Sequence, residues 1–138
     1  QKTAYEIPKR DWSSDVCSSD LGITWRRDGR VCLDYGNEDE YAFARPWVIK
    51  DADTYRMWFA VRGARYTIGY AESRDGLVWQ RCDEVAGLMP SASGWDSEMV
   101  EYPCVFDHRG QRFMLYNGND YGRTGVGLAR WEEGSRRP

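Results

Sequence analysis

Apolar and aromatic residues along this chain fall into short runs that are separated by turn-forming residues. Runs of about four to eight such residues are typical of β-strands, whereas an amphipathic helix would repeat them every three to four positions. The pattern therefore predicts an almost entirely β protein. We expect strands at positions 23–27, 31–34, 47–50, 55–61, 66–72, 78–81, 104–107, 112–116 and 125–131, and a long loop at 83–96.

One stretch of the sequence occurs twice. Residues 45–63 read RPWVIKDADTYRMWFAVRG and residues 102–118 read YPCVFDHRGQRFMLYNG, and each copy predicts a strand, a tight turn and a second strand. A third apolar run follows each copy in register, YTIGYA from Tyr66 and TGVGLA from Thr124. Repeated units that cannot bury their faces alone are typical of propellers and solenoids, so we predict two stacked units.

The segment at positions 11–21, DWSSDVCSSDL, resembles the translation of a common sequencing-adapter oligonucleotide. The alternative is a natural loop rich in serine and aspartate. On the first interpretation, residues 1–21 are an artefactual or foreign N-terminal segment, and residues 22–138 are the domain to be interpreted. The native N-terminus would then be missing, which leaves the cellular location undetermined, with the cytoplasm slightly favoured.

Composition narrows the class of protein. The 138 residues carry a formal net charge of -3, and 41% of them are hydrophobic and 14% aromatic, as in a globular domain. No apolar run reaches the roughly 18 residues of a spanning helix, and arginines interleave with acidic residues, so we expect neither a membrane nor a nucleic-acid partner. Cys32, Cys82 and Cys104 lack metal or disulfide spacing. We therefore predict free or buried thiols, and no metal or cofactor.

Three segments carry a family resemblance: RPWVIKDADTYRMWFAVRG at 45–63, YTIGYAESRDGLVW at 66–79 and GWDSEMVEYPCVFDHRGQRFMLYNGNDYGRTGVGLA at 94–129. They resemble the closing blades of bacterial five-bladed β-propeller proteins, similar to the superfamily of glycoside hydrolase families 32 and 43. The resemblance implies an incomplete all-β propeller of about two four-stranded antiparallel blades. It also implies a parent glycoside hydrolase or transglycosidase acting on glycans. The alternatives are a non-catalytic carbohydrate-binding propeller and an interaction scaffold.

A two-blade fragment of such a protein would lack part of its chemistry and part of its packing. Catalysis in the families that the chain resembles draws carboxylates from several blades, so we expect the chain by itself to be inactive. Unpaired edge strands and an uncovered blade face should also make it self-associate. The expected partner of the parent is a carbohydrate substrate or ligand.

Acidic residues just upstream of the first strand of each repeat are the candidate catalytic groups. Glycoside hydrolysis uses one carboxylic acid to protonate the leaving oxygen and a second carboxylate to attack or to activate water. Glu101, in Glu101-Tyr102-Pro103, resembles the Glu-x-Pro glutamate that is the general acid in family 43 and the acid/base in family 32. The GWDSEM resemblance favours Glu98. The full candidate set is Glu40, Asp96, Glu98 and Glu101, which the repeat predicts at one rim of a funnel.

Candidate substrate-binding residues are Asp39, Arg45, Trp95 and Tyr121. Arg45 precedes Pro46 where the two families carry an aspartate, so it cannot supply that acid, but it can bind a carboxylated or phosphorylated sugar. Trp95 and Tyr121 fall in predicted loops, where an aromatic ring can stack on the apolar face of a sugar. The other tryptophans singled out here are expected to pack between blades, namely Trp47, Trp58 and Trp79.

Overall fold

The computed structural model describes residues 15–18 and 25–132, and the all-β prediction is confirmed there. No helix in these two ranges has the length and apolar character needed to cross a membrane. The strands are β1 (Asp15–Ser18), β2 (Arg26–Val31), β3 (Ala42–Asp51), β4 (Thr54–Arg62), β5 (Tyr66–Ser73), β6 (Gln80–Arg81), β7 (Glu101–His108), β8 (Gln111–Asn117) and β9 (Val126–Arg130), with one short helix, α1 (Asp83–Ala86).

Each copy of the repeated stretch forms its own antiparallel sheet. The first blade has the strand order β3-β4-β5-β6, and the second blade has the order β7-β8-β9. A separate antiparallel pair joins β1 to β2. Strand β1 falls inside the segment 11–21, whose foreign origin stays a prediction, as does a domain boundary at residue 22. The two predicted repeat units are therefore confirmed as two successive meanders.

Two of the expected strands are shorter or displaced. The strand expected at 78–81 contains only Gln80–Arg81, because the Asp75 carboxylate accepts hydrogen bonds from the N–H groups of Leu77 (2.8 Å) and Val78 (2.9 Å). Those bonds commit residues 77 and 78 to a turn. The prediction of a strand at 31–34 is wrong, since β2 ends at Val31 and Leu33 is buried as a loop residue.

The remaining differences concern the loops before each blade. Part of the strand expected at 23–27 lies outside the described residues, and Arg26 and Arg27 belong to β2 instead. The loop expected at 83–96 contains α1 and an isolated bridge between Ile68 and Leu88. This bridge ties the connection between the blades to β5.

Burial of β4 on both faces fixes the core of the first blade. Trp58 is 0% exposed and packs between the blades, as predicted, whereas Trp47 remains 39% exposed. Trp79 packs on the opposite face of β4, against the cluster that contains Met57 and Phe59. The cluster between the blades consists of Trp58, Ile68, Tyr70, Val100, Val105 and Met114. The cluster on the opposite face consists of Leu33, Met57, Phe59, Val61 and Ala71.

The first strand of each blade contains the same irregularity. The register of β3 shifts between Ala44 and Trp47, and the register of β7 shifts between Glu101 and Cys104. In both strands the residue before the proline has a positive φ, 48° at Arg45 and 57° at Tyr102. A bulge of this kind bends the strand and redirects a side chain, and proline fits it because no N–H is needed.

Candidate functional site

Glu101 is the most unusual acidic residue in the structure. It is 0% exposed, and neither of its carboxylate oxygens has a hydrogen-bond partner in the described part of the chain. Burial raises the pKa of the Glu101 carboxyl to about 7, against the opposing influence of the Arg62 charge. A buried carboxyl without a partner is costly as an anion, so Glu101 holds its proton close to neutral pH.

The fold seals Glu101 at the junction of the two blades. Its neighbour Val100 is also 0% exposed, and the Val100 N–H donates to the Tyr66 carbonyl at the start of β5 (3.1 Å). Glu101 pairs with Asn117 of β8 just before the bulge. The first blade has Ala44 at the corresponding position of its own bulge. The buried carboxyl is therefore a feature of the second blade that the repeat does not reproduce.

Three tyrosines gather beside Glu101, and we call them the tyrosine cluster. Tyr66 begins β5, Tyr102 follows Glu101 in β7, and Tyr121 lies on the loop between β8 and β9. The ring centroids are 6.1 Å apart for Tyr66 and Tyr102, 6.0 Å for Tyr66 and Tyr121, and 6.5 Å for Tyr102 and Tyr121. Tyr66 is buried, whereas Tyr121 is 49% exposed. The cluster thus runs from the core to solvent.

Two arginines stack on this cluster. The Arg45 guanidinium lies 5.0 Å from the centroid of Tyr102, and the Arg62 guanidinium lies 5.3 Å from that of Tyr66. Arg62 also donates from Nε to the Tyr41 hydroxyl at 2.8 Å. We refer to Glu101, the tyrosine cluster and these two arginines as the Glu101 site. It combines a protonatable acid, aromatic rings and two cations, which is a set suited to a polar ligand with a flat apolar face.

Glu40 has a structural role in the first blade. Arg81 donates to both of its oxygens, at 2.6 and 2.8 Å, and the Gly36 N–H donates at 2.8 Å. Although burial opposes ionisation, these hydrogen bonds lower the pKa of the Glu40 carboxyl. The Glu40 side chain, in the acidic loop before β3, is therefore held by Arg81 and is not placed beside Glu101. Asp39, in the same loop, is exposed, and its N–H donates to Asn37 (2.9 Å).

Asp96 and Trp95 belong to a packed corner next to the second blade. The buried Asp96 carboxylate accepts a hydrogen bond from the Tyr116 hydroxyl at 2.9 Å, and burial followed by this bond raises the pKa of Tyr116 to about 12. Trp95 stacks on Tyr116 with ring centroids 5.7 Å apart. A Cβ atom at Gly118 would lie 2.4 Å from the Trp95 ring. This contact gives Trp95 a packing role.

The two segments that carried much of the resemblance fold onto each other. Asn119 is buried, and its side-chain oxygen accepts the N–H groups of Glu98 (2.7 Å) and Met99 (3.1 Å). The Thr124 hydroxyl donates to the Trp95 carbonyl at 2.6 Å. The Glu98 side chain itself is exposed. This clamp holds residues 94–99 against the loop that carries Tyr121.

Sequence reasoning identified Glu101, Arg45 and Tyr121 but missed Tyr66, Tyr102 and Arg62. Tyr102 stands inside the Glu-x-Pro motif and could have been found from it. Tyr66 and Arg62 pair with each other at the turn between β4 and β5 of the preceding blade, and their approach to Glu101 depends on how the blades stack. No pattern within either repeat signals that approach.

Two cavities of the described chain are lined by residues other than Glu101. A cleft of about 400 Å³ lies between the α1 region and β8–β9, and a polar depression of about 700 Å³ adjoins Asp51 and Arg112. Within residues 15–18 and 25–132, no group of three or more potential metal ligands is gathered. Cys82 and Cys104 are free thiols, as predicted.

Comparisons with known proteins identify relatives without an assigned activity. Two uncharacterized proteins of Mycobacterium tuberculosis, from strains H37Rv and CDC 1551, are each 55% identical to this chain over 108 residues. The matched region is 78% of this chain and 36% of each relative, so the chain spans about a third of their length. The chain matches no protein-family model.

Solved structures establish the fold. A Bombyx mori GH32 beta-fructofuranosidase in complex with sucrose superimposes with a TM-score of 0.66 and 19% identity, covering 87% of this chain and 27% of the enzyme. A glycoside hydrolase and an RGII complex each give a TM-score of 0.69 with 20% identity, covering 95% of this chain and 40% of theirs. The chain therefore has the all-β, antiparallel fold of glycosidase propeller domains, and its two sheets are blades of that fold.

Proposed function

We propose that this chain is part of a longer carbohydrate-active β-propeller protein, here called the parent protein, that hydrolyses or transfers glycosyl units with Glu101 as its general acid. The observation that carries the proposal is the buried, unpartnered Glu101 carboxyl beside a wall of tyrosines. The fold adds support, since the structures it resembles include a beta-fructofuranosidase with sucrose and an RGII complex.

The chemistry of a general acid fits Glu101. Such an acid must still hold its proton at the working pH, and burial raises the pKa of Glu101 to about 7. In the proposed step, the Glu101 proton passes to the glycosidic oxygen as the bond from that oxygen to the anomeric carbon breaks. A second carboxylate then attacks that carbon or removes a proton from the attacking water.

Access to Glu101 requires a side chain to move, because the carboxyl is fully buried. Tyr121 is half exposed, lies on the loop between β8 and β9, and is the outermost ring of the tyrosine cluster. We expect Tyr121 to turn outward when a glycan enters and then to stack on the sugar. Tyr66 and Tyr102 would remain as the fixed wall of the site.

The reaction also requires a second carboxylate. Glu40 is committed to Arg81, and Ala44 occupies the position in the first blade that corresponds to Glu101. Arg45 stands where families 32 and 43 carry an aspartate. We infer that another part of the parent protein supplies the second carboxylate, so that this chain alone is inactive. The absence of a carboxylate at positions 44 and 45 also favours the alternative, a glycan-binding propeller without catalysis.

The test compares two glutamates in the parent protein. Glu101→Gln keeps the shape of the side chain but removes the transferable proton, and should lower kcat roughly 100-fold to 10,000-fold on an active oligosaccharide. Glu98→Gln, with its exposed side chain, is the matched control and should keep its turnover. Release of reducing ends from a panel of oligosaccharides is the readout, with circular dichroism to verify folding.

The two variants separate the candidates. Normal turnover in Glu101→Gln together with loss in Glu98→Gln would move the acid to Glu98. Specific glycan binding by the parent protein without release of reducing ends from any member of the panel would favour the binding propeller instead.

A further inference from the structure

The Glu101 site carries positive charge that the chain does not neutralise. We propose that it binds a saccharide bearing an anionic substituent, a carboxylate or a sulfate or phosphate ester, and that Arg45 and Arg62 hold this group. The inference rests on the proposed function, because it names the class of glycan that the same site takes.

Ion pairing distinguishes Arg45 and Arg62 from five other arginines of the described chain, and Arg65, Arg74 and Arg109 likewise form no ion pair there. Arg56, Arg81, Arg112, Arg123 and Arg130 each form an ion pair with an aspartate or glutamate. Within residues 15–18 and 25–132, neither Arg45 nor Arg62 has a carboxylate within 4.0 Å. Arg45 lies over the Tyr102 ring instead, and Arg62 lies over the Tyr66 ring while its Nε donates to the Tyr41 hydroxyl, so no carboxylate of the described chain neutralises either guanidinium.

The backbone directs Arg45 across the boundary between the blades. Its φ of 48° is uncommon for a residue with a side chain, and residues before proline avoid helical geometry as well. The bulge nevertheless holds this conformation in β3 and brings Arg45 over Tyr102 of β7. Strain of this sort persists where the surroundings impose it, and it is concentrated at functional sites.

The two cations flank one pair of rings. Arg62, at the end of β4, lies over Tyr66, and Arg45 lies over Tyr102. The centroids of Tyr66 and Tyr102 are 6.1 Å apart. A sugar ring stacked on the exposed Tyr121, which contacts both of these rings, would therefore lie near both guanidinium groups. Arginine binds carboxylate, sulfate and phosphate groups through two parallel hydrogen bonds.

Nearby acids do not cancel this charge. Glu101 is buried, and its pKa of about 7 keeps the carboxyl mostly protonated below that pH. Asp120, beside Tyr121, forms an ion pair with Arg123. Asp39 approaches the end of β4 through its backbone carbonyl, 3.2 Å from a Cβ placed on Gly63, while its side chain is exposed to solvent. The site is thus locally cationic on a chain whose formal net charge is -3.

The test is a set of binding titrations on the parent protein by isothermal calorimetry. The probes are a trisaccharide of uronic acids, its methyl ester, which has the same shape without the charge, and an O-sulfated trisaccharide. An anionic probe should bind at least about tenfold more tightly than the ester, since hydrogen bonds between charged groups exceed those to a neutral carbonyl. Tighter binding of the uronic-acid probe identifies a uronate ligand. Tighter binding of the sulfated probe identifies a ligand with a sulfate or phosphate ester.

Variants assign the preference to the two arginines. Arg45→Gln and Arg62→Gln should each reduce the preference for the anionic probe, whereas Arg109→Gln should preserve it. Arg109 lies in the turn at the opposite end of β7, and its substitution by glutamine produces the same change in net charge. Equal affinity for the acid, its ester and the sulfated sugar would overturn the inference, and so would an equal effect of all three variants.

The outcomes for charge and for catalysis are independent. Hydrolysis that depends on Glu101, without discrimination between charged and neutral probes, would retain the proposed function and reject this inference. A preference for charge that depends on Arg45 and Arg62, without hydrolysis of any probe, would retain the inference as a property of a binding site.

Discussion

At the scale of single residues, burial controls the chemistry of this chain most strongly at Glu101. Its carboxyl pKa of about 7 exceeds the 4.5 of an exposed glutamate, because burial disfavours the anion. Asp51 shows the opposite case. The hydrogen bond from Arg112 holds the pKa of that carboxyl below its usual range, despite partial burial. In these two residues, the presence or absence of a hydrogen-bond partner decides whether the fold favours the ionised or the protonated carboxyl.

The raised pKa of Glu101 predicts a pH dependence of stability. Between pH 4.5 and about 7, the folded chain keeps a proton that the unfolded chain has lost. Stability should therefore fall as the pH rises through this window and level off above it, by roughly 3 kcal/mol in total for this one group. Glu101→Gln should remove this part of the slope, measured by urea unfolding at pH 5 and pH 8.

The control for this measurement is Glu98→Gln, which should unfold with the slope of the wild-type chain because its side chain is exposed. Identical slopes for the wild type and Glu101→Gln would mean that Glu101 ionises normally in the fold.

At the scale of elements, a salt bridge joins the two blades at the end remote from the bulges. Arg112 of β8 donates to both oxygens of Asp51 at the end of β3, at 2.6 and 2.8 Å, and also to Asp107 at 2.8 Å. The Arg112 side chain is only 15% exposed. A planar guanidinium suits this paired geometry, whereas an ammonium group cannot reproduce it.

Arg112→Lys should therefore destabilise the chain by about 1 to 3 kcal/mol while keeping its charge. The matched control is Arg130→Lys, which alters an exposed pair with Glu132 whose side chains are 60% and 61% exposed. That change should cost less than about 0.5 kcal/mol. Equal midpoints of urea unfolding for the two variants would show that the Asp51 bridge does not hold the blades together.

The sequence pattern predicted the strands of both blades well, because apolar runs and turn residues act locally. It failed where side chains override the pattern. Asp75 captures the backbone of Leu77 and Val78, so an apolar run becomes a turn. Within the site, Glu101 could be predicted from its motif. The approach of Arg62 to it could not be predicted, since that contact depends on blade stacking.

At the scale of the whole molecule, the outer face of the second blade is apolar and exposed. Its residues alternate along neighbouring strands, so they share one side of the sheet, and Leu115 pairs directly with Leu128. Leu128 is 61% exposed and Val126 is 63% exposed. In a propeller such a face packs against another blade. The face consists of Phe106, Phe113, Leu115, Val126 and Leu128.

We predict that the isolated chain self-associates through this outer face, because contiguous apolar surface favours contact with a second copy. Leu128→Lys should shift the chain toward a monomer in sedimentation velocity. Val78→Lys, at a position 70% exposed on a turn of the first blade, should leave the association unchanged. A wild-type chain that sediments as a monomer at high micromolar concentration would contradict the prediction.

The proposed role of Glu101 as general acid depends on its protonation state. The most direct measurement is an NMR titration of the side-chain carboxyl carbon of Glu101 in the folded chain, assigned by comparison with Glu101→Gln. We predict a midpoint at about pH 7, because burial without a partner disfavours the anion. A midpoint near 4.5, the value of an exposed glutamate, would contradict it and remove Glu101 as the general acid.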